Sequence, residues 1–192
     1  MDRKTIAVDI DDTLNNFTPT LRSADFPFDP SYSVSEAAFH AHLPKVRAGH
    51  IETSELLSTE YAYFKAQIHQ KVYAQGQARP DAVAFMQALR RDGWRIVICT
   101  YRDLRRSSEI TRRWLDDNRI PFDFLFRANN KVVFCRSWGI EHLVDDDPLN
   151  STHGGLHGVN VYYPLPAPAV VAPHTTARGF TSFEEVGQWI RA

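Results

Sequence analysis

The sequence predicts an α/β protein: a doubly wound parallel sheet carrying a small helical cap inserted after its first strand. Three observations lead there. Short β-rich apolar runs, Thr5-Ile6-Ala7-Val8 and Trp94-Arg95-Ile96-Val97-Ile98-Cys99, alternate with helical patterns of about ten residues, as strands joined by crossover helices do. Acidic residues gather where such runs stop. Between the first two runs the character changes: Pro19, Pro27, Pro30 and Pro44 break the first half, and the stretch from Ser54 to Gln75 is aromatic-studded and helix-compatible. Residues 1–14 and 80–192 are therefore expected to form the core and residues 15–79 the cap.

The remaining elements follow in order. Pro80 suits a first helical position, and Val83, Met86 and Leu89 mark one face of a helix that stops at Gly93. After the strand at Trp94–Cys99 come a helix around Ser108–Asn118, a strand at Phe124-Leu125-Phe126 and a helix from Lys131. Strands at His142-Leu143-Val144 and Val159–Tyr162 follow, and residues 164–179 read as a surface connection rich in proline. Ser182-Phe183-Glu184-Glu185 has the form of a capping box, opening a helix striped by Phe183, Val186 and Ile190.

With 192 residues, 43% hydrophobic and 23% charged, the chain is neither disordered, collagen-like nor coiled coil. Lys and Arg total 22 against 23 Asp and Glu, so no global field draws nucleic acid or an anionic membrane, and an anionic partner must be gripped locally. No window approaches the roughly 18 apolar residues of a membrane span. The run Ile6-Ala7-Val8 is too short for a signal-peptide core, and Cys99 and Cys135 are expected as thiols in a reducing compartment, so the chain reads as cytoplasmic with no membrane partner. Neither GxGxxG nor GxxxxGK[ST] follows the first strand, which disfavours dinucleotide oxidoreductases and P-loop kinases.

The chemistry lies at one rim of the sheet. Asp9-Ile10-Asp11-Asp12-Thr13 ends the first strand, Thr100 the second and Asp145-Asp146-Asp147 a late one, with Lys131 opening a helix between them. Two carboxylates about 4 Å apart repel by roughly 4 kcal/mol at an effective dielectric near 20, so the cluster needs a cation or a shared proton. All candidate ligands are oxygens, which suits a hard divalent ion. Magnesium, which takes one or two carboxylates, waters and a substrate phosphate, fits best and implies a phosphoryl substrate. One Asp then attacks phosphorus, and a second protonates the leaving oxygen and later activates water. The cation, Lys131 and Thr100 hold the charge on the phosphoryl oxygens.

Taken together, Asp9-x-Asp11-x-Thr13, Thr100 after Ile96-Val97-Ile98-Cys99, Lys131, and the acids after Leu143-Val144 resemble the four motifs of the haloacid dehalogenase superfamily. The resemblance covers most of the chain. It implies Asp9 as the nucleophile forming an aspartyl-phosphate, Asp11 as general acid and base, Thr100 as a phosphate donor and Lys131 as the counter-charge. Asp146, Asp9 and the backbone carbonyl of Asp11 would bind magnesium, with Asp145 behind them or as an alternate ligand. The run Asp9–Phe17 and the ending Leu143–Pro148 are further similar to the 5′(3′)-deoxyribonucleotidase family and its bacterial relatives. That likeness implies a nucleoside monophosphate substrate, with Phe17 stacking on the base and cap aromatics such as Tyr73 as a second wall. Tyr101-Arg102 departs from the small residues expected after the motif-two Thr. Both are substrate-binding candidates: a flexible Arg102 would grip or close over a phosphate, which keeps open a 3′-end phosphatase of nucleic acids.

Plainer readings stand beside these. Asp12 and Asp147 are expected to be solvent-facing or turn-forming, and Arg105, Arg106, Arg112 and Arg113 a solvated helix face. Tyr61, Tyr63 and Phe64 are expected to pack within the cap, the histidines to be surface or structural, and the cysteines to be small apolar filler. Receiver domains also combine an acid pair, Thr and Lys, but place the accepting Asp between the pair and the Thr; here the later acids follow Lys131. Oligomeric state is not legible, and a dimer is compatible with the sequence.

Overall fold

The computed structural model describes residues 3–31, 35–48, 64–165 and 177–191. Six parallel strands form one sheet: β1 (Thr5–Val8), β2 (Arg95–Thr100), β3 (Phe124–Arg127), β4 (His142–Val144), β5 (Asn160–Pro164) and β6 (Arg178–Phe180), in the order β3-β2-β1-β4-β5-β6. β1 lies at the centre, Ile6 pairing with Ile96 on one side and His142 on the other, so the strand order reverses around it. In such sheets ligands bind beyond the carboxyl ends of the strands at that reversal.

Alternate residues of β1 feed opposite faces, because successive side chains of a strand point to opposite sides. Ile6 and Val8 join the core under three helices, α4 (Pro80–Arg91), α5 (Leu104–Asp117) and α8 (Phe183–Trp189), with Phe85, Leu89, Trp114, Leu115 and Phe183. Ala7 faces the other core, with Val97, Cys99, Val132, Cys135, Leu143 and Val161, beneath α6 (Lys131–Ser137) and α7 (Pro148–Leu156). Both cysteines are free and buried, and burial pushes the Cys135 thiol up to about 12, so both act as apolar filler.

Between β1 and β2 the chain leaves the sheet. Helices α1 (Phe17–Ser23) and α2 (Glu36–Arg47), a π-helical turn at Ile68–Val72 and the helical turn α3 (Tyr73–Gln75) bury their own apolar cluster of Leu21, Phe26, Phe39, Phe64, Ile68 and Val72. Phe39 and Phe64 stack at 5.2 Å within it. The strands leading out and back meet in an antiparallel bridge, Asn15 with Ala78, tightened by Arg79 N–H to Leu14 O (2.9 Å) and Gln77 N–H to Asn16 Oδ1 (2.7 Å). Tyr61, Tyr63 and residues 54–63 of the helix-compatible stretch lie outside the described residues.

Several expectations need correction. Residues 164–179 are not wholly a connection: Pro164 belongs to β5, and Arg178–Phe180 adds β6 by pairing with Tyr162–Pro164, while residues 166–176 lie outside the described set. Helix α5 starts at Leu104, not Ser108, because the Asp103 side chain accepts from Arg105 N–H and caps it there. Ser182 makes no side-chain cap; Glu185 instead accepts from Thr181 N–H (2.9 Å) and Thr181 Oγ1 (3.2 Å), one residue earlier. Helix α7 was not anticipated.

One packed group carries a pH dependence. His142 lies in β4 between Trp94 (5.7 Å) and Tyr162 (6.0 Å), its Nδ1 3.1 Å from the Tyr162 hydroxyl. Burial holds its pKa below the ordinary imidazole value, against an opposing pull from Glu141. A histidine kept neutral contributes stability that is present above that ordinary value and lost as pH falls through it. The melting temperature is therefore expected to drop between roughly pH 7 and roughly pH 5, and His142→Phe to shrink the drop. An unchanged drop in the variant would clear His142 of the effect.

Candidate active site

Asp9 follows β1 directly, and its N–H still donates to Val144 O on β4 (2.9 Å), so the sheet ladder itself sets its position. Asp145 is tied in the same way, donating to Tyr162 O on β5 (3.0 Å). Lys131 opens α6, where the Asn130 side chain caps the helix by accepting from Val133 N–H (2.9 Å), and its ammonium reaches back under the rim. There it lies 2.9 Å from Asp9 Oδ2 and 2.9 Å from Asp145 Oδ2. Asp145 is fully engaged: Oδ2 also accepts from Asn150 Nδ2 (3.2 Å) and Oδ1 from Asp147 N–H (2.9 Å). Asp146 is held through Thr13, whose hydroxyl donates to Asp146 Oδ1 and accepts from Asp146 N–H, each at 3.1 Å.

One oxygen is left over. Asp9 Oδ1 is buried and has no hydrogen-bond partner among the described residues. Its electrostatic surroundings agree. Burial pushes the Asp9 carboxyl up to about 7; the Lys131 ammonium pulls it back, and Asp145 and Asp11 push it further. Asp146 is pushed up to about 8 by burial and then by Asp9 and Asp145, and burial also raises Asp145. Burial opposes the Lys131 ammonium, yet Asp9 and Asp145 outweigh it and hold its pKa above the ordinary value.

Oxygens of Asp9, Asp145 and Asp146 lie within 4.8 Å of one another, three carboxylates against one ammonium. With all three ionised, two negative charges are uncompensated, and one oxygen of Asp9 has no hydrogen-bond partner among the described residues. An all-oxygen donor set with that deficit fits a hard divalent cation. Asp146 and Asp9 are the carboxylates best placed to hold it, because Asp145 is spent on Lys131, Asn150 and the Asp147 amide.

Around this centre stand the other expected residues. Thr100 is buried at the end of β2, its hydroxyl accepting from Arg102 N–H (3.3 Å). Asp11 stands at the mouth, about a fifth exposed, and both its oxygens are held by Arg102. Arg102 is thus not the flexible phosphate grip expected from the sequence, for its side chain is wholly buried. Tyr101 is 43% exposed at the rim, with the Arg127 guanidinium 5.6 Å from its ring. Phe17 begins α1 half-buried, 5.6 Å from Tyr73. Asp12 is turn-forming: it adopts φ 55° and accepts from the backbone N–H of Thr18 (2.7 Å) and from its hydroxyl. Thr13, Asn15 and Asn150 have no role assigned from the sequence, though Thr13 closes the first motif; short polar side chains a few residues after the strand-end acids are the only cue to them.

Comparison with known proteins bears on the fold. No protein-family model matches the chain, and no curated protein matches it. Solved structures do. A haloacid dehalogenase-like family hydrolase from Streptococcus pneumoniae superposes with a TM-score of 0.65 at 11% identity over 98% of each chain. A protein described as a predicted phosphatase, from Clostridium acetobutylicum, gives 0.65 at 12% identity over 100% of this chain and 99% of its own. An L-2-haloacid dehalogenase gives 0.60 at 13% identity over the whole of both chains. The fold is that of the haloacid dehalogenase-like hydrolases. Among the described residues no helix is long and apolar enough to cross a membrane.

Proposed function

We propose that the chain is a magnesium-dependent phosphomonoester hydrolase working through an aspartyl-phosphate, with nucleoside monophosphates as its substrates. The observation that carries the reading is the buried, unpartnered Oδ1 of Asp9, a carboxylate whose other oxygen is paired with Lys131 and whose charge is felt by a second carboxylate, Asp11. Asp9 Oδ1 attacks phosphorus, the bond from phosphorus to the ester oxygen breaks, and that oxygen takes a proton from Asp11. A water then attacks the same phosphorus, gives its proton to Asp11, and the bond from phosphorus to Asp9 breaks, restoring the carboxylate. Lys131 and the Thr100 hydroxyl hold the equatorial charge. Bound by Asp9, Asp146 and the Asp11 carbonyl, the cation would polarise the phosphoryl oxygens and offset the two surplus negative charges.

Dehalogenation is the competing chemistry, since structural neighbours include a dehalogenase. A departing halide needs no proton and no cation. Asp11 and the acidic surplus would then be idle, which favours the phosphate ester. Nucleotides are favoured among phosphate esters because Phe17 opens α1 half-buried and offers an aromatic face for the base, whereas the neighbouring Tyr73 ring is buried beneath the Arg102 guanidinium and is no second wall.

The test is phosphate release from 5′- and 3′-nucleotides, sugar phosphates and a 3′-phosphorylated oligonucleotide, alongside halide release from a 2-haloacid, with magnesium or EDTA. Release is expected to peak on nucleoside monophosphates and to vanish with EDTA. Activity confined to the oligonucleotide would move the substrate to nucleic-acid ends, and halide release without phosphate release would overturn the reading.

A further inference from the structure

Arg102 heads the wholly buried side chains of the described residues, and it sits against the candidate site. Every donor of its guanidinium plane that the geometry resolves has a partner. Nε donates to Asp11 Oδ2 (2.9 Å), Nη2 to Asp11 Oδ1 (2.6 Å) and Nη1 to Thr111 Oγ1 (3.3 Å). The Tyr73 ring covers it at 4.0 Å and Trp114 flanks it at 6.0 Å. Trp114 is itself fixed, its indole N–H donating to Gly76 O (2.6 Å). The backbone N–H of Arg102 donates to Thr100 Oγ1, so the loop after β2 is pinned as well.

A buried guanidinium is costly without a counter-charge, and the counter-charge here is the one carboxylate expected to move protons. Asp11 has two side-chain torsions and stands at the mouth, where several rotamers are open to it. A two-pronged fork from a rigid donor selects one of them. Asn15 supports the same choice, donating to Asp11 Oδ1 (3.4 Å) while accepting from Asp12 N–H (3.1 Å).

We propose that Arg102 is a positioning residue for Asp11, aiming its carboxylate at the leaving oxygen, and that Tyr73 of the cap is the backstop that keeps the guanidinium in place. The inference rests on the phosphatase reading above. Sealed from solvent, Arg102 acts through Asp11: the fork takes one lone pair of each Asp11 oxygen, and the second lone pair of Oδ2 carries the proton to and from the ester. The cap thereby governs the acid, because the ring that steadies the fork comes from the π-helical turn and α3 rather than from the sheet.

The experiment compares two substrates of unequal leaving group, an alkyl phosphate that needs its oxygen protonated and p-nitrophenyl phosphate that does not. The quantity is kcat/KM with magnesium, which reports substrate binding and formation of the aspartyl-phosphate but not its hydrolysis. Arg102→Gln is expected to lose about 100-fold on the alkyl ester, the lower end of what a general acid supplies, and under about 5-fold on the aryl ester. Arg102→Lys keeps the charge but not the fork and is expected to show the same split. Equal losses on both esters, or no loss, would overturn the proposal. If Arg102→Gln melts before assay temperature, Tyr73→Leu serves instead, with about a 10-fold alkyl loss expected and the aryl rate nearly kept; equal effects there also overturn it. A wild-type chain silent on both esters would overturn the phosphatase reading, and this inference with it, whereas an active wild type with no split defeats the inference alone.

Discussion

Asp9→Asn is expected to abolish phosphate release, a loss of about 10⁵-fold, because the attacking oxygen has no substitute in the cluster. Lys131 holds Asp9 Oδ2, and Asp145 and Asp146 are committed to Asn150 and Thr13. The substitution should not harm the fold. It removes one of the two uncompensated buried charges and supplies an amide that can donate toward Asp146, so the cation-free variant is expected to melt no lower than the parent chain. Thermal melts in EDTA with single-turnover phosphate release check both halves. An inactive variant that also melted early would mean that Asp9 was needed for folding, and residual turnover near the parent rate would remove it as nucleophile.

Lys131→Met carries the other large effect, on stability. The ammonium is almost fully buried between two carboxylates that have no second cation within reach among the described residues. Breaking such a pair leaves uncompensated charge behind and costs about 3–5 kcal/mol, a large share of the roughly 5–15 kcal/mol that holds a domain together. Asp145→Asn on top of it should recover part of the loss, giving a coupling of about 1 kcal/mol or more between the two positions. Urea unfolding of the four chains in EDTA measures it. Purely additive losses would show that the short Lys131–Asp145 contact contributes nothing net.

What could be read from the residues depended on how local the signal was. β1 and β4 were legible because Ile6-Ala7-Val8 and His142-Leu143-Val144 are apolar on both faces, as central parallel strands must be. The acids were legible because each immediately follows such a run. α7 was not, since Pro148, Gly154 and Gly155 look like loop punctuation. In the structure Gly154 is what allows the helix to seat: a Cβ there would come within 2.2 Å of Val161 Cγ2. β6 was hidden because three residues, Arg178–Phe180, are too few to show alternation. Arg102 is the instructive case. A chain shows that a residue is charged but not that its loop folds inward, and the only cue lay on α5, whose buried stripe carries Ser107 and Thr111 where aliphatic residues would otherwise pack.

The central place of β1 also bears on how the chain reaches its native state. Its four residues find their partners only when Arg95–Ile98 and His142–Val144 have arrived, long stretches of chain further on. Closing loops of that size is entropically demanding and makes assembly slow compared with a helical bundle. Asp9, Thr100, Lys131 and Asp146 are brought together by the last of those closures, so no fragment short of the assembled sheet contains a working constellation. Recovery of chemical activity during refolding would thus be a late clock, striking only after the sheet has zipped outward from its middle strand.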